Sequence, residues 1–177
     1  MSQELERLVA VQAITDRIYQ YSRAVDRLDA DLLRDVYWPD GTDDHGIFTG
    51  SAPDYVEWVM SFVGAWISTH HDNSNVMVDL DGDTAFVESH WTGWYRLPHP
   101  DGYVDLVSCG RYLDRFERRD AEWRIAHRTC LSDWSQQTVQ QGEPRAAHRL
   151  SGRRGPTDLV YSLPEIANGR ASESTNR

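Results

Sequence analysis

Two adjacent histidines mark the part of this sequence where acid–base chemistry is easiest to place. The segment "STHHDNSNVMVDLDGDTAFVESHWTGWY" puts His70 and His71 at the start of a strand-like run. Because side chains alternate between the two faces of a strand, the two histidines point in opposite directions, and at most one of them lines an interior. His71 shares its face with Asn73 and Asn75. A histidine is the natural general base near neutral pH; a solvated or hydrogen-bonded structural histidine is the alternative.

A carboxylate on the second ring nitrogen would fix the tautomer of such a histidine and stabilise its imidazolium form. The candidate is Asp26, near the end of the first predicted helix. At about 100° per residue, Asp26 lies on the shoulder of that helix's apolar stripe. Periodicity therefore allows both a surface position and a position at the mouth of a cavity.

The last predicted strand offers an arginine. Alternation places Arg128 on the same face as Ala126 and Cys130, whose small side chains leave space around a guanidinium. That environment suits a cavity wall; an ion pair with an acid on the sheet surface is the alternative.

The run "DDHG" holds two further candidates, Asp44 and His45. Either side chain could point inward and assist proton transfer, and a turn cap is the favoured alternative. Their spacing relative to His71 does not demand a metal ion, and no metal site is predicted.

The elements that must position these groups follow from the apolar spacing. Residues 5–25 carry apolar side chains every three or four positions, Tyr21 among them, which predicts an amphipathic helix. A short helix over 29–37, a turn at "WPDGTDD", a short strand at "HGIFTG" and a helix over 51–67 follow. Four long strands joined by short turns at "DGD", "PHPDG" and "DAE" complete the pattern. The fold class is therefore α+β, a curved antiparallel sheet with N-terminal helices against one face.

The domain organisation follows from a change in composition. Residues 1–139 form one domain. Residues 140–177 are rich in Gly, Pro, Arg and Ser, and we predict an extended tail that is partly disordered or packs on a neighbouring subunit.

Bulk composition excludes several classes of protein. The 177 residues are 40% hydrophobic and 26% charged, which is ordinary for a globular protein. A net charge of −10 argues against nucleic acid or an anionic membrane as a partner, because binding to either rests on clustered Lys and Arg. No apolar run approaches the roughly 20 residues that span a bilayer. The acidic N-terminus does not resemble a secretory signal, which predicts a cytoplasmic location, and the two cysteines are predicted to be free thiols.

Aromatic residues are abundant, with seven Trp and eight Tyr. Large aromatics mostly fill cores, but a surplus also suits a pocket for a flat apolar ligand. Trp38, Trp91 and Trp94 are the candidates for such an apolar wall.

Three segments together resemble a known family: "YSRAVDRLDADLLRDVYWPD", "THHDNSN" and "GRYLDRFERRDAEWRIAHR". Over residues 5–137 the sequence is similar to the SnoaL-like branch of the nuclear transport factor two-like superfamily. Within it, the sequence resembles the group that holds hexachlorocyclohexane dehydrochlorinase and bile acid 7α-dehydratase. The resemblance implies a cone-shaped α+β barrel and a cofactor-free lyase with an Asp–His dyad.

The resemblance also implies roles for particular residues. The family's aspartate falls on Asp26, its histidine on His71, with Asn75 four residues later, and its arginine on Arg128. Tyr21 stands where the dehydrochlorinase has lysine and the bile acid enzyme has tyrosine, which favours loss of an oxygen group over loss of a halide.

The predicted function is a dehydratase-like elimination on a small apolar, aromatic or polycyclic, hydroxylated substrate. His71 removes a proton, Asp26 holds the imidazole, Tyr21 donates to the leaving oxygen and Arg128 polarises the substrate. Asp44, His45, Asn75 and the three tryptophans are the predicted substrate-binding residues, and neither a cofactor nor a metal is expected.

Other functions stay open. These are a lyase that releases formaldehyde from lignin-derived diaryl compounds, an isomerase, and a non-catalytic ligand-binding module like the dioxygenase β subunits. Similar proteins imply a homodimer or homotrimer.

Overall fold

The computed structural model describes residues 2–142 and 151–162 of the chain. The tail prediction for 140–177 therefore falls in part on residues 143–150 and 163–177, which lie outside the described residues.

Three helices and six strands make up the described fold. All strand pairs are antiparallel except one between the first and the last strand. Together they form a curved, unclosed mixed sheet with the order β2-β1-β6-β5-β4-β3, which confirms the predicted α+β class. In chain order the elements are α1 (Gln3–Arg27), α2 (Ala30–Val36), β1 (Tyr37–Asp44), β2 (Thr49–Ser51), α3 (Ala52–Gly64), β3 (Ser68–Asp81), β4 (Thr84–His99), β5 (Gly102–Arg119), β6 (Glu122–Gln140) and a 3₁₀ turn (Leu159–Ser162).

The segment "WPDGTDD" is a strand rather than the predicted turn. It belongs to β1, which pairs in parallel with β6, and the predicted strand "HGIFTG" is mostly the turn between β1 and β2. Pro39 and Gly41 are tolerated because they lie between Tyr37 and Thr42, where the register with β6 shifts. Gly41 approaches its neighbours closely, since a Cβ there would lie 2.9 Å from the carbonyl oxygen of Trp38.

Residues at the helix ends account for where α1 and α3 start and where α1 stops. Ser2 caps α1 by accepting a hydrogen bond from the amide of Leu5, and Ser51 caps α3 in the same way from Asp54. Leu28, which directly follows α1, adopts a left-handed conformation. The predicted stripes are buried in part. The buried residues are Ile14, Ile18, Tyr21 and Val25 on α1, and Tyr55, Val59 and Val63 on α3, whereas Leu5, Leu8 and Phe62 are exposed. The core therefore lies between these helices and the inner face of the sheet.

Irregularities in the long strands bend the sheet around this core. The pairing of β3 with β4 shifts between Ser74 and Met77, and the pairing of β5 with β6 shifts beside Gly110 and beside Phe116. Each bulge bends its strand and increases the local twist. Each bulge also changes which residues of its strand face inward, and this sets the direction in which several side chains at the site point.

The outer face of the sheet carries exposed apolar side chains, among them Met77, Phe86 and Leu113. Within the described part of the chain, no helix is long and apolar enough to cross a membrane.

Candidate functional site

Asp26 and His71, which are 45 positions apart in sequence, are in direct contact. Nδ1 of His71 lies 2.7 Å from Oδ1 of Asp26, and the backbone N–H of His71 donates to Oδ2 at 2.9 Å. Their side chains are only 7% and 8% exposed. A carboxylate only accepts hydrogen bonds, so Nδ1 carries the proton and Nε2 of the neutral ring is left as the acceptor. This is the arrangement that a histidine base requires.

The basic nitrogen of His71 faces a tyrosine. The hydroxyl of Tyr95 lies 3.1 Å from Nε2, at a distance that allows it to donate. Tyr95 lies on β4, two residues after Gly93, which pairs directly with His71. A Cβ at position 93 would overlap the ring of Tyr95, so a glycine is needed for Tyr95 to reach the histidine.

Asp26 is held in its ionised form. Burial by itself would raise its pKa, but hydrogen bonds and charge from His71, with a further bond from the Thr69 side chain, hold the pKa below its usual value. Asp26 is therefore a negatively charged partner for the ring of His71.

Asp26→Asn should lower the free energy of unfolding near neutral pH, and this loss should shrink in acid. Because the folded-state pKa of Asp26 is lowered, the ionised carboxylate stabilises the fold fully above its ordinary pKa of about 4, and this contribution disappears as the pH falls through the folded-state value. Urea unfolding of both proteins near pH ~6 and pH ~3 measures the difference. A difference that stays constant with pH would contradict the assignment.

A second His–Asp pair lies on β1 and the turn after it. Nδ1 of His45 is in hydrogen-bond contact with Oδ1 of Asp43, and Tyr37 donates to Oδ2 of Asp43 at 2.7 Å. Nε2 of His45 lies 3.3 Å from the hydroxyls of both Tyr21 and Tyr55, which also bond to each other. His45 therefore points inward, which is the alternative to a turn cap in the sequence analysis. Its partner is Asp43, two positions earlier, which the sequence analysis did not propose as a site residue.

Tyr21 is fully enclosed and keeps its proton. Burial raises the pKa of its hydroxyl well above the usual value, although the nearby Arg128 opposes this. Tyr21 is thus a hydrogen-bond donor rather than an anion, and His45 lies within hydrogen-bond distance of its hydroxyl.

Arg128 is completely buried and paired. Nε and Nη2 donate to the two carboxylate oxygens of Asp114, each at 2.7 Å. Its guanidinium carbon lies 4.1 Å from the ring centre of Tyr21 and 3.9 Å from that of Tyr112. Burial alone would lower the pKa of Arg128, but the carboxylate of Asp114 outweighs this and raises it. The alternative prediction paired Arg128 with an acid on the surface of the sheet. That alternative is wrong, because the partner, Asp114, is buried.

The bulge in β6 explains how Arg128 faces inward. Ile125 pairs with Phe116 and His127 pairs with Arg115, so Ala126 is the extra residue. Simple alternation puts Ile125 and Arg128 on opposite faces, but the inserted residue brings both into the interior.

Three of the predicted substrate-binding side chains point away from the interior. Trp94 is 41% exposed and lies three residues from the buried Trp91, so the two face opposite sides of β4. Trp38 donates to the carbonyl of Glu117 and lies under Arg119 and Arg124. Asn75 is exposed at the bulge in β3 with a φ of 49°. Only Trp91 of the three tryptophans lines the interior, where it stacks on Tyr112.

Asp44 adopts the favoured alternative of a turn cap. Its Oδ1 accepts from the amide of Gly46 and the hydroxyl of Thr49, both at 2.9 Å. It therefore closes the turn that carries His45 and does not enter the site.

Several buried polar atoms on the inner face have no hydrogen-bond partner among the described residues: Oδ1 of Asn73, Oγ of Ser89 and Nη1 of Arg128. Nε1 of Trp91 meets only the thiol of Cys130, a weak acceptor whose pKa burial raises to about 12. Leaving such groups unpaired costs about 1–3 kcal/mol each, so the inner face holds polar atoms whose partners the described residues do not supply.

Sequence reasoning missed Tyr95, Tyr55 and Asp114 as parts of the site, and it placed Asn73 on the face of His71 without assigning it a role. A signal existed for two of them: Tyr95 is four residues from the inward Trp91, and Asp114 is two from the inward Tyr112. In the described ranges 2–142 and 151–162, no group of three or more His, Cys, Asp or Glu residues could hold a metal ion.

Solved structures share this architecture. A protein from Kribbella flavida is 23% identical with a TM-score of 0.67, and the match covers 76% of this chain and 95% of that one. The hexachlorocyclohexane dehydrochlorinase LinA-type3 from Novosphingobium barchaimii is 19% identical with a TM-score of 0.71, covering 81% and 100%. A putative scytalone dehydratase from Novosphingobium aromaticivorans is 22% identical with a TM-score of 0.66, covering 82% and 97%. At these identities the likeness shows a common fold.

A search of curated protein sequences finds no match to the chain. The model of the SnoaL-like domain matches residues 6–129, which is well over half of the sequence and includes Asp26, His71 and Arg128. The chain therefore belongs to the SnoaL-like domain family.

Proposed function

We propose that the protein is a cofactor-independent lyase that eliminates water from a small hydroxylated substrate with an apolar, aromatic or polycyclic body. The observation that carries the proposal is the buried contact between Asp26 and His71, in which Nδ1 of the ring faces the carboxylate and Nε2 points away from it. The similarity to a dehydrochlorinase and a putative scytalone dehydratase supports a lyase.

In the proposed mechanism, Nε2 of His71 removes a proton from a carbon next to the leaving group, and the carboxylate of Asp26 stabilises the resulting imidazolium. The electron pair of the C–H bond forms the new double bond as the C–O bond breaks. Tyr21, which keeps its proton, donates a hydrogen bond to the departing oxygen. The proton that His71 has taken up leaves with that oxygen as water. Acid–base assistance of this kind contributes about 10²–10⁴ in rate.

The unpaired groups of the inner face favour an oxygenated substrate over a chlorinated one. Nη1 of Arg128 needs an acceptor and Oδ1 of Asn73 needs a donor. A carbonyl or phenol and a hydroxyl satisfy these needs, whereas carbon-bound chlorine accepts hydrogen bonds only weakly. Trp91 and Tyr112 supply the stacked aromatic wall for the apolar body.

The test is turnover of a bicyclic aromatic β-hydroxyketone by the purified protein without added cofactor. We expect a product that is lighter by one water in mass spectrometry, and faster turnover than for the corresponding β-chloroketone. Turnover of the chloride alone would contradict the choice of leaving group. Binding of both compounds without conversion of either would instead support the non-catalytic module.

The remaining functional alternatives stay predictions. Release of formaldehyde from a diaryl substrate, followed in the same assay format, would support the C–C lyase, and a product of unchanged mass would support an isomerase. The homodimer or homotrimer is also a prediction, supported by the exposed apolar side chains on the outer sheet face.

A further inference from the structure

Residues 151–162, which we name the C-terminal segment, lie against the end of α1 beside the Asp26–His71 pair. The amide of Gly155 donates to the carbonyl of Arg27 at 2.5 Å, and Tyr161 donates to the carboxylate of Asp29 at 2.8 Å. Asp158 forms an ion pair with Arg27, at 3.7 Å. The segment is thus anchored to this chain's own first helix.

Arg154 is the residue of this segment that contacts two helices and the sheet. Its guanidinium donates to main-chain carbonyls at the C-terminal ends of both α1 and α3, and to a side chain on β3. The acceptors are Val63 O at 2.6 Å, Trp66 O at 3.2 Å, Val25 O and Asp26 O at 3.4 Å, and Thr69 Oγ1 at 3.5 Å.

These acceptors explain why a cation belongs there. The last carbonyls of a helix have no partner within the helix and carry partial negative charge. α3 has no basic residue in its last turn, so Arg154 supplies the missing charge from a distant part of the chain. A planar guanidinium with five N–H donors can serve two helix ends at once.

Two of the contacts lead directly to Asp26. Nε of Arg154 donates to the backbone carbonyl of Asp26, and Nη2 contacts the hydroxyl of Thr69. The same Thr69 side chain is one of the groups that lower the pKa of the Asp26 carboxylate. Arg154 therefore holds both the backbone and a hydrogen-bond partner of the carboxylate that orients His71.

Two cavities are lined both by Asp26 and by residues of the segment. One, of about 270 Å³, is lined by Asp26, Thr69 and Arg154. The other, of about 390 Å³, is lined by Asp26, His71 and Val160. The segment therefore borders the space around Asp26.

We propose that Arg154 is a positioning residue, which fixes Asp26 in the orientation that holds the imidazole of His71 when the C-terminal segment is docked. Its catalytic importance rests on the proposed function, but the geometry of the pair can be measured without turnover. The amide of His71 suits this measurement because it donates to Oδ2 of Asp26. Its hydrogen exchange in the full-length chain therefore reports on the contact.

Arg154→Ala should accelerate exchange of the His71 amide and of the Gly155 amide, measured by NMR on the folded full-length protein. Arg154→Lys should restore protection in part, because an ammonium can serve fewer of the carbonyls. Arg153→Ala is the matched control: the neighbouring arginine is exposed, and its replacement should leave both amides unchanged. With the β-hydroxyketone as substrate, kcat should fall by up to about 10²-fold in Arg154→Ala.

A second variant keeps the test decisive if Arg154→Ala does not fold. Asp158→Ala removes the ion pair with Arg27 and should expose Gly155 and His71 to exchange while Arg154 is retained. Loss of protection at Gly155 with unchanged protection at His71, in either variant, would overturn the proposal. So would an unprotected Gly155 in the unmodified protein. Absence of turnover in the unmodified protein counts against the proposed function and leaves the exchange result to decide the role of Arg154.

Discussion

His71→Ala should lower turnover of the hydroxylated substrate by about 10²–10⁴-fold, because it removes the one basic nitrogen that Asp26 orients. His71→Asn separates chemistry from structure: its amide N–H can still donate to Asp26, but it has no basic nitrogen. Both variants should therefore lose activity, and His71→Asn should retain more stability. Steady-state kinetics with circular dichroism at the assay temperature measures both effects.

The adjacent histidine provides the matched control. His70 lies on the opposite face of β3 with 65% of its side chain exposed, and it contacts Asp72 rather than the interior. His70→Ala should leave turnover unchanged. Full activity in folded His71→Ala, or equal losses in the two alanine variants, would remove the base from the mechanism.

Asp114→Ala should destabilise the fold by about 3–5 kcal/mol, because it leaves the guanidinium of Arg128 buried without its counter-ion. Both side chains are 0% exposed and joined by two hydrogen bonds of 2.7 Å, so water cannot replace the lost carboxylate. The free energy of unfolding from urea denaturation gives the magnitude.

Two comparisons test whether burial of the ion pair causes the loss of stability in Asp114→Ala. Asp83→Ala removes an ion pair with Arg118 in which the side chains are 69% and 47% exposed, and should cost only about 0–1 kcal/mol. The double variant Asp114→Leu, Arg128→Met replaces the buried pair with apolar side chains and should recover much of the lost stability. A loss for Asp114→Ala no larger than that for Asp83→Ala would show that Arg128 finds water or another partner.

The His71 and Asp114 variants test two separate parts of the inner face of the sheet. The Asp26–His71 pair lies where α1 ends against β3, and the Asp114–Arg128 pair lies on β5 and β6 under Tyr21. Between them stand groups that the fold leaves unpaired. Unpaired polar groups in an interior cost stability. Under the proposed function, a bound substrate would offset part of that cost.

The sequence by itself determined most of the local elements and the pairing of the four long strands. Apolar spacing of three and four predicts the buried stripes of α1 and α3, because each helix must turn one face to a core. The turns at "DGD" and "DAE" predict the hairpins that join β3 to β4 and β5 to β6, because loop length and residue type select the turn. The pairing of Asp26 with His71 was predicted from the resemblance to a family, because periodicity alone did not decide where Asp26 points.

Tertiary structure alone decided which side chains reach the interior. Bulges insert single residues and reverse the alternation beyond them, which turned Asn75 outward and brought Arg128 inward. The parallel pairing of β1 with β6 made a strand of a segment rich in turn residues and placed Asp43 and His45 beside Tyr21. Arg154 reaches Asp26 from 128 positions away, through carbonyls that any residue type could provide. Such contacts depend on distances in the folded chain, and neither residue type nor spacing along the sequence encodes them.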